Sequence, residues 1–177
     1  MCNAIVIGAC AGRGVNSGGD HHMPDSTIAI GNNALCKYVD DGTNNWPAVA
    51  IGANAMCSAL PTAGMRAVAI GHRAMKLNTT GVNNVAIGEG AMTTATTTTG
   101  NVAVGYAALD ASNADENTAI GHQASGAVTT GHSNTSVGYN ALGGNTTGAN
   151  NTGRGYGALS GKTTASNNTA IGYQALD

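Results

Sequence analysis

The chain has 177 residues and a formal net charge of −2, with only 9% of its residues charged. That is too little positive charge for a nucleic-acid or anionic-membrane surface, and no run of 18 apolar residues offers a membrane span. Phe is absent and Trp occurs once, against 27 Gly, so the side chains that fill a thick globular core are missing and only a thin core between close backbone layers is left open.

The first coil opens with Asn3-Ala4-Ile5-Val6-Ile7-Gly8, and its glycine returns at Gly31, Gly52, Gly71, Gly88, Gly105, Gly121, Gly138, Gly155 and Gly172. The spacing shrinks from 23 through 21 and 19 residues and settles at 16 or 17. A held period of this kind marks a repeat array, so residues 1–177 are expected to form a single array. The opening MCNAIVIGACAG lacks the basic n-region of a signal peptide. It falls in register with the repeat and reads as coil one.

Residues 1–65 hold the longer repeats. Their extra residues, at 13–25, 37–47 and 58–65, are expected to protrude as loops, and insertions in repeats map to one edge that is frequently a binding edge. The candidate recognition or docking residues are therefore His21, His22, Tyr38, Asp40, Asp41 and Trp46. Capping of the array end, or docking to a neighbouring fibre section, competes with ligand recognition. Asp20-His21-His22-Asp25 has metal-type side chains, yet adjacent histidines in extended chain point to opposite sides, and no metal site is expected. Cys36 and Cys57 each follow a repeat glycine by five residues and should stack on neighbouring coils. Paired strands lie ~4.8 Å apart, within the range of disulfide geometry, so a bridge is open, with two buried free thiols the favoured reading.

Residues 66–177 repeat regularly at about 17 residues. Three positions after every glycine stands Ala, including Ala34, Ala55, Ala74, Ala91, Ala108, Ala124, Ala141, Ala158 and Ala175. The next residue is Leu or Met in most copies. Before the glycine runs V-A-I or T-A-I, with Ile30, Ile51, Ile70, Ile87, Ile120 and Ile171 in the last place. This alternation has a period of two and predicts a short strand, branched residues on one face and Ala on the other. Glycine permits a bend or close approach, the Ala-Leu pair begins a second strand or a corner, and Thr-Thr-Gly supplies turns. About ten coils of an all-β β-solenoid follow. One strand face must then remain outside as a long apolar stripe, which marks an interface and predicts self-association in a closed cyclic assembly.

Three local features need placing. Arg154 occupies the Ile/Val slot, so either its coil bulges to bring the guanidinium to water or copies of it surround an anion on an assembly axis. Gly157-Ala158-Leu159-Ser160-Gly161-Lys162-Thr163 looks like part of a phosphate-binding loop, but the required first glycine is Tyr156 and the repeat accounts for the segment. The acidic residues fall in turns or variable slots with no partnered base, so no catalytic site and no cofactor are expected; the chain is read as a non-enzyme.

NVAIG, NTAIG and AVAIG followed by xxAL resemble the head repeats of trimeric autotransporter adhesins of the YadA type, and equally the NTAIGYxAL…TTG repeats of phage tail-fibre and other virion-fibre proteins. The resemblance covers essentially the whole chain. It implies a left-handed parallel β-roll and a homotrimer about a common axis, with the alanines and isoleucines named above packing the core and the trimer. It further implies a structural or adhesive role at a virion surface or, alternatively, a bacterial cell surface. Partners would be other copies of the chain, other fibre or virion proteins, and a host-surface receptor, glycan or protein; neither nucleic acid nor membrane insertion is expected. The repeats are longer than usual for the family, and the chain carries no neck, stalk or anchor, which suggests a section of a longer fibre. Rows of threonine such as Thr118, Thr135, Thr152 and Thr169 leave an ice-binding solenoid as a minor alternative.

Overall fold

The computed structural model of the chain describes residues 4–13, 26–37, 47–58, 66–161 and 164–177. Among these residues ten short strands follow one another: β1 (Ile5–Ile7), β2 (Ile28–Ile30), β3 (Ala48–Ile51), β4 (Ala67–Ile70), β5 (Asn84–Ile87), β6 (Val102–Val104), β7 (Thr118–Ile120), β8 (Thr135–Val137), β9 (Thr152–Arg154) and β10 (Thr169–Ile171). They form one parallel sheet in sequence order. The register is kept by the repeat, as in Ala67↔Asn84, Val68↔Val85, Ala69↔Ala86 and Ile70↔Ile87. The described residues make an all-β parallel β-solenoid of about seven turns, with no helix among them.

In most strands the middle residue is an alanine that faces inward; β1, β8 and β9 carry Val6, Ser136 and Gly153 there, and Val6 is exposed. Ala29, Ala50, Ala69, Ala86, Ala103 and Ala119 are fully buried, while the branched residues beside them are half-buried or exposed. The inner wall opposite is built from the Ala-Leu pairs: Ala34 to Ala158 of the column, with Leu35, Met56, Met75, Met92, Leu109, Leu142 and Leu159, are all buried. Ala175, in the last coil, is only partly buried against this core. Alanine on one wall leaves room for a leucine or methionine from the other, which is how a coil of 16 or 17 residues closes on a packed interior.

The Ala-Leu pair is a corner, not a second strand. The backbone there is left-handed at two alternating positions, for example Asn54 and Met56 with φ of 58° and 48°. Such angles strain non-glycine residues, and the corner is held by bonds on both sides. Ala55 N–H donates to the carbonyl of Gly52 in its own coil, and Met56 N–H to Ala74 in the next. The repeat glycine is demanded twice over. Gly88 sits at φ 137°, and a Cβ there would lie 2.3 Å from the carbonyl oxygen of Gly105 in the coil above.

A ladder of asparagines stiffens the regular coils. Asn84, Asn101, Asn117, Asn134 and Asn151 are buried one place before the outward branched residue. Each Oδ1 accepts the backbone N–H of the next rung, from Asn101 N to Asn84 at 2.9 Å through Asn168 N to Asn151 at 3.0 Å. Each Nδ2 crosses the coil to a turn carbonyl, as Asn117 does to Gly131 at 2.9 Å. The first coils carry Thr27, Ala48 and Ala67 in this slot instead.

Two serines interrupt the apolar columns of the described coils. Ser125 stands in the Leu/Met slot and Ser136 in the strand-alanine slot of the next coil, and both are buried. Their hydroxyls meet at 2.8 Å. The apolar side chains divide at this point into a longer cluster ending at Val128 and a shorter one from Leu142 to Ala170.

Candidate functional surface

Two rows of branched side chains run down the outside of the sheet. Through β1–β6 both rows are aliphatic: Ile5 and Ile7, Ile28 and Ile30, Val49 and Ile51, Val68 and Ile70, Val85 and Ile87, Val102 and Val104. In β7–β10 the first row changes to Thr118, Thr135, Thr152 and Thr169. Even with neighbours stacked above and below, Ile87 is 37% and Ile120 42% exposed. The isoleucines Ile30, Ile51, Ile70, Ile87, Ile120 and Ile171 thus lie on the outer face, whereas the alanine column lies inside; the two sets do not share one packing surface within a chain.

This geometry corrects the reading of Arg154. No bulge is needed, because β9 keeps its register between Val137 and Ile171. Its slot faces outward, and the guanidinium is exposed.

Beside the isoleucine row, the residue just after each glycine forms a second column. Ala9, Asn32 and Ala53 open it, followed by His72 and Glu89, whose Nδ1 and Oε1 approach to 3.4 Å on the surface. From Tyr106 onward it becomes a continuous stack of rings. Tyr106 and His122 lie 4.8 Å apart between centroids, His122 and Tyr139 5.2 Å, Tyr139 and Tyr156 4.9 Å, and Tyr156 and Tyr173 5.2 Å. The interplanar angles are 10–23°. Stacking uses the ring faces within the column, and the tyrosines Tyr106, Tyr139, Tyr156 and Tyr173 remain exposed. This stack was not among the features read from the sequence. The signal was there, in an aromatic or imidazole ring at one fixed offset in five successive repeats.

The candidate loop residues His21, His22, Tyr38, Asp40, Asp41 and Trp46 lie outside the described residues, as do Lys162 and Thr163. Cys36 and Cys57 stack on neighbouring coils as free thiols. Cys36 Sγ donates to the carbonyl of Cys57 at 3.2 Å. Only Cys57 is buried; Cys36 is half-buried, and desolvation, with Cys57 beside it, raises its thiol above the ordinary value. Among the described residues, no group of three His, Cys, Asp or Glu is placed to hold a metal ion, and no helix is long and apolar enough to cross a membrane. Comparisons with family models, curated proteins and solved structures return no match.

Proposed function

We propose that the chain is a structural and adhesive fibre segment whose outer sheet face packs against further copies of itself. The observation that carries this reading is the unbroken aliphatic face of β1–β6, two branched side chains per strand in strict register. Burying such a side chain fully is worth about 1.5–3 kcal/mol, and a long stripe of them on a thin rod favours association. Three copies about a common axis would bring equivalent rows together with closed symmetry. The trimer, the left-handed winding and a count of ten coils, one per strand, are the forms implied by the likeness to adhesin-head and virion-fibre repeats. In that setting the protein belongs to the surface of a phage or virus, or alternatively of a bacterium, and contacts a host-surface receptor. It needs no cofactor.

Sedimentation velocity tests the reading. The expected species is three times the 17.4 kDa of one chain, and Ile70→Asp on the outer face should shift it to monomer. A stable monomer for the unaltered chain at tens of micromolar would sink the proposal.

A further inference from the structure

Four of the chain's five tyrosines stand at one offset, directly after a repeat glycine: Tyr106, Tyr139, Tyr156 and Tyr173. Stacking alone would be served as well by Phe, yet the whole chain has none. Every carbocyclic ring in the column is therefore a phenol, and phenols undergo one-electron oxidation that phenyl rings resist. All four are exposed, within reach of an oxidant from solvent.

The stack is held from behind by the backbone. Gly155 N–H donates to the Val137 carbonyl at 2.8 Å and Gly157 N–H to the Tyr139 carbonyl at 2.9 Å, so Tyr156 is tied to the coil of Tyr139 on both sides. Gly172 and Gln174 tie Tyr173 in the same way to Arg154 and Tyr156, at 2.8 Å each. The rings follow this register. Tyr139 and Tyr156 lie 4.9 Å apart at 10°, and Tyr156 and Tyr173 5.2 Å apart at 16°. Equivalent residues on parallel coils with nearly parallel rings place like edge over like edge. Tyr106 differs: its ring neighbour is His122 at 4.8 Å, and the imidazole separates it from Tyr139.

We infer that the column Tyr139, Tyr156 and Tyr173 is a site of oxidative cross-linking, at which neighbouring coils are joined as dityrosine. A haem peroxidase with hydrogen peroxide removes one electron and the phenolic proton from each of two stacked tyrosines. The spin of each phenoxyl radical is shared between its oxygen and the ring carbons ortho to it. Two such carbons couple, and the new C–C bond forms between facing ring planes, the direction that the stack presents. Each coupled carbon then releases its proton while the ring oxygen regains one, which restores both phenols. In sum, two tyrosines and one hydrogen peroxide give one dityrosine and two waters. The inference goes beyond the fibre reading and does not rest on it, because all three rings belong to one chain.

Peroxidase and hydrogen peroxide acting on the whole chain test it, read by intact mass, denaturing gel and peptide mapping. Cleavage after Glu116, Arg154 and Lys162 puts Tyr106, Tyr139, Tyr156 and Tyr173 on separate peptides. The expected product runs as a single chain and has lost two hydrogens per link, with Tyr156 joined to Tyr139 or Tyr173 and Tyr106 left free. Tyr156→Phe keeps a stacking ring without the phenol and should lower the yield about tenfold, because the remaining partners are no longer held in contact. His122→Tyr completes the stack and should bring Tyr106 into links. The mapping of the unaltered chain needs neither variant to fold. No loss of hydrogen pairs, Tyr106 or Tyr38 linked as frequently as Tyr156, an equal yield in Tyr156→Phe, or links found only between chains overturns the inference.

Discussion

Replacing Asn117 by Ala probes the buried asparagine ladder at its centre. The side chain has partners on both sides: its Oδ1 accepts the backbone N–H of Asn134 at 2.9 Å and Asn134 Nδ2 at 3.1 Å. Its Nδ2 donates to Gly131 at 2.9 Å and to Asp115 at 3.2 Å. Asn134 Nδ2 keeps a second acceptor in Gly148, so truncation strands two buried groups, the Asn134 N–H and the Gly131 carbonyl. Each stranded group costs about 1–3 kcal/mol, which puts the loss at about 2–6 kcal/mol. Asn168→Ala is the control. Asn168 is the last rung and supports no described coil beyond it; it serves its own bonds to Asn151 and Ser166, so its loss should cost about 1 kcal/mol. Urea unfolding followed by circular dichroism compares the two midpoints. If Asn117→Ala unfolds at the same urea concentration as Asn168→Ala, the ladder does not hold the coils together as argued.

Two further changes test the interior. Ser136→Ala leaves the buried Ser125 hydroxyl without its partner and should destabilise by about 1–3 kcal/mol; combining it with Ser125→Leu, which restores the residue found in other coils, should recover most of that loss, and thermal melts of the cycle read the coupling. Ala141→Leu adds bulk to a fully buried column and should lower stability by about 1–3 kcal/mol; a melt equal to that of the unaltered chain would contradict the packing assigned to the alanine wall.

The strand phase was legible because a period of two and a period of 17 coincide: every V-A-I or T-A-I lands on its counterpart and needs no long-range information to pair. The direction of the faces was less legible. Alanine and isoleucine are both apolar, and only coil closure shows that the narrow interior takes the methyl while the branched chain stays out. At Arg154 only the expected bulge went astray, for the same reason: the residue was judged as a guest in an inner slot, and its slot faces outward. The Ser125–Ser136 bond was hidden differently. Each serine breaks a different column of the repeat, and the two breaks compensate only where consecutive coils stack.

By itself, the sequence determined the repeat, the parallel in-register strands, the glycine at the bend and the turn chemistry between coils, because each rests on local backbone preference and fixed spacing. Tertiary structure alone decided which face is buried, that Ala-Leu turns a left-handed corner, and that Tyr106, His122, Tyr139, Tyr156 and Tyr173 stack. Those outcomes depend on what the next coil places about 5 Å away, and a linear pattern does not carry that distance.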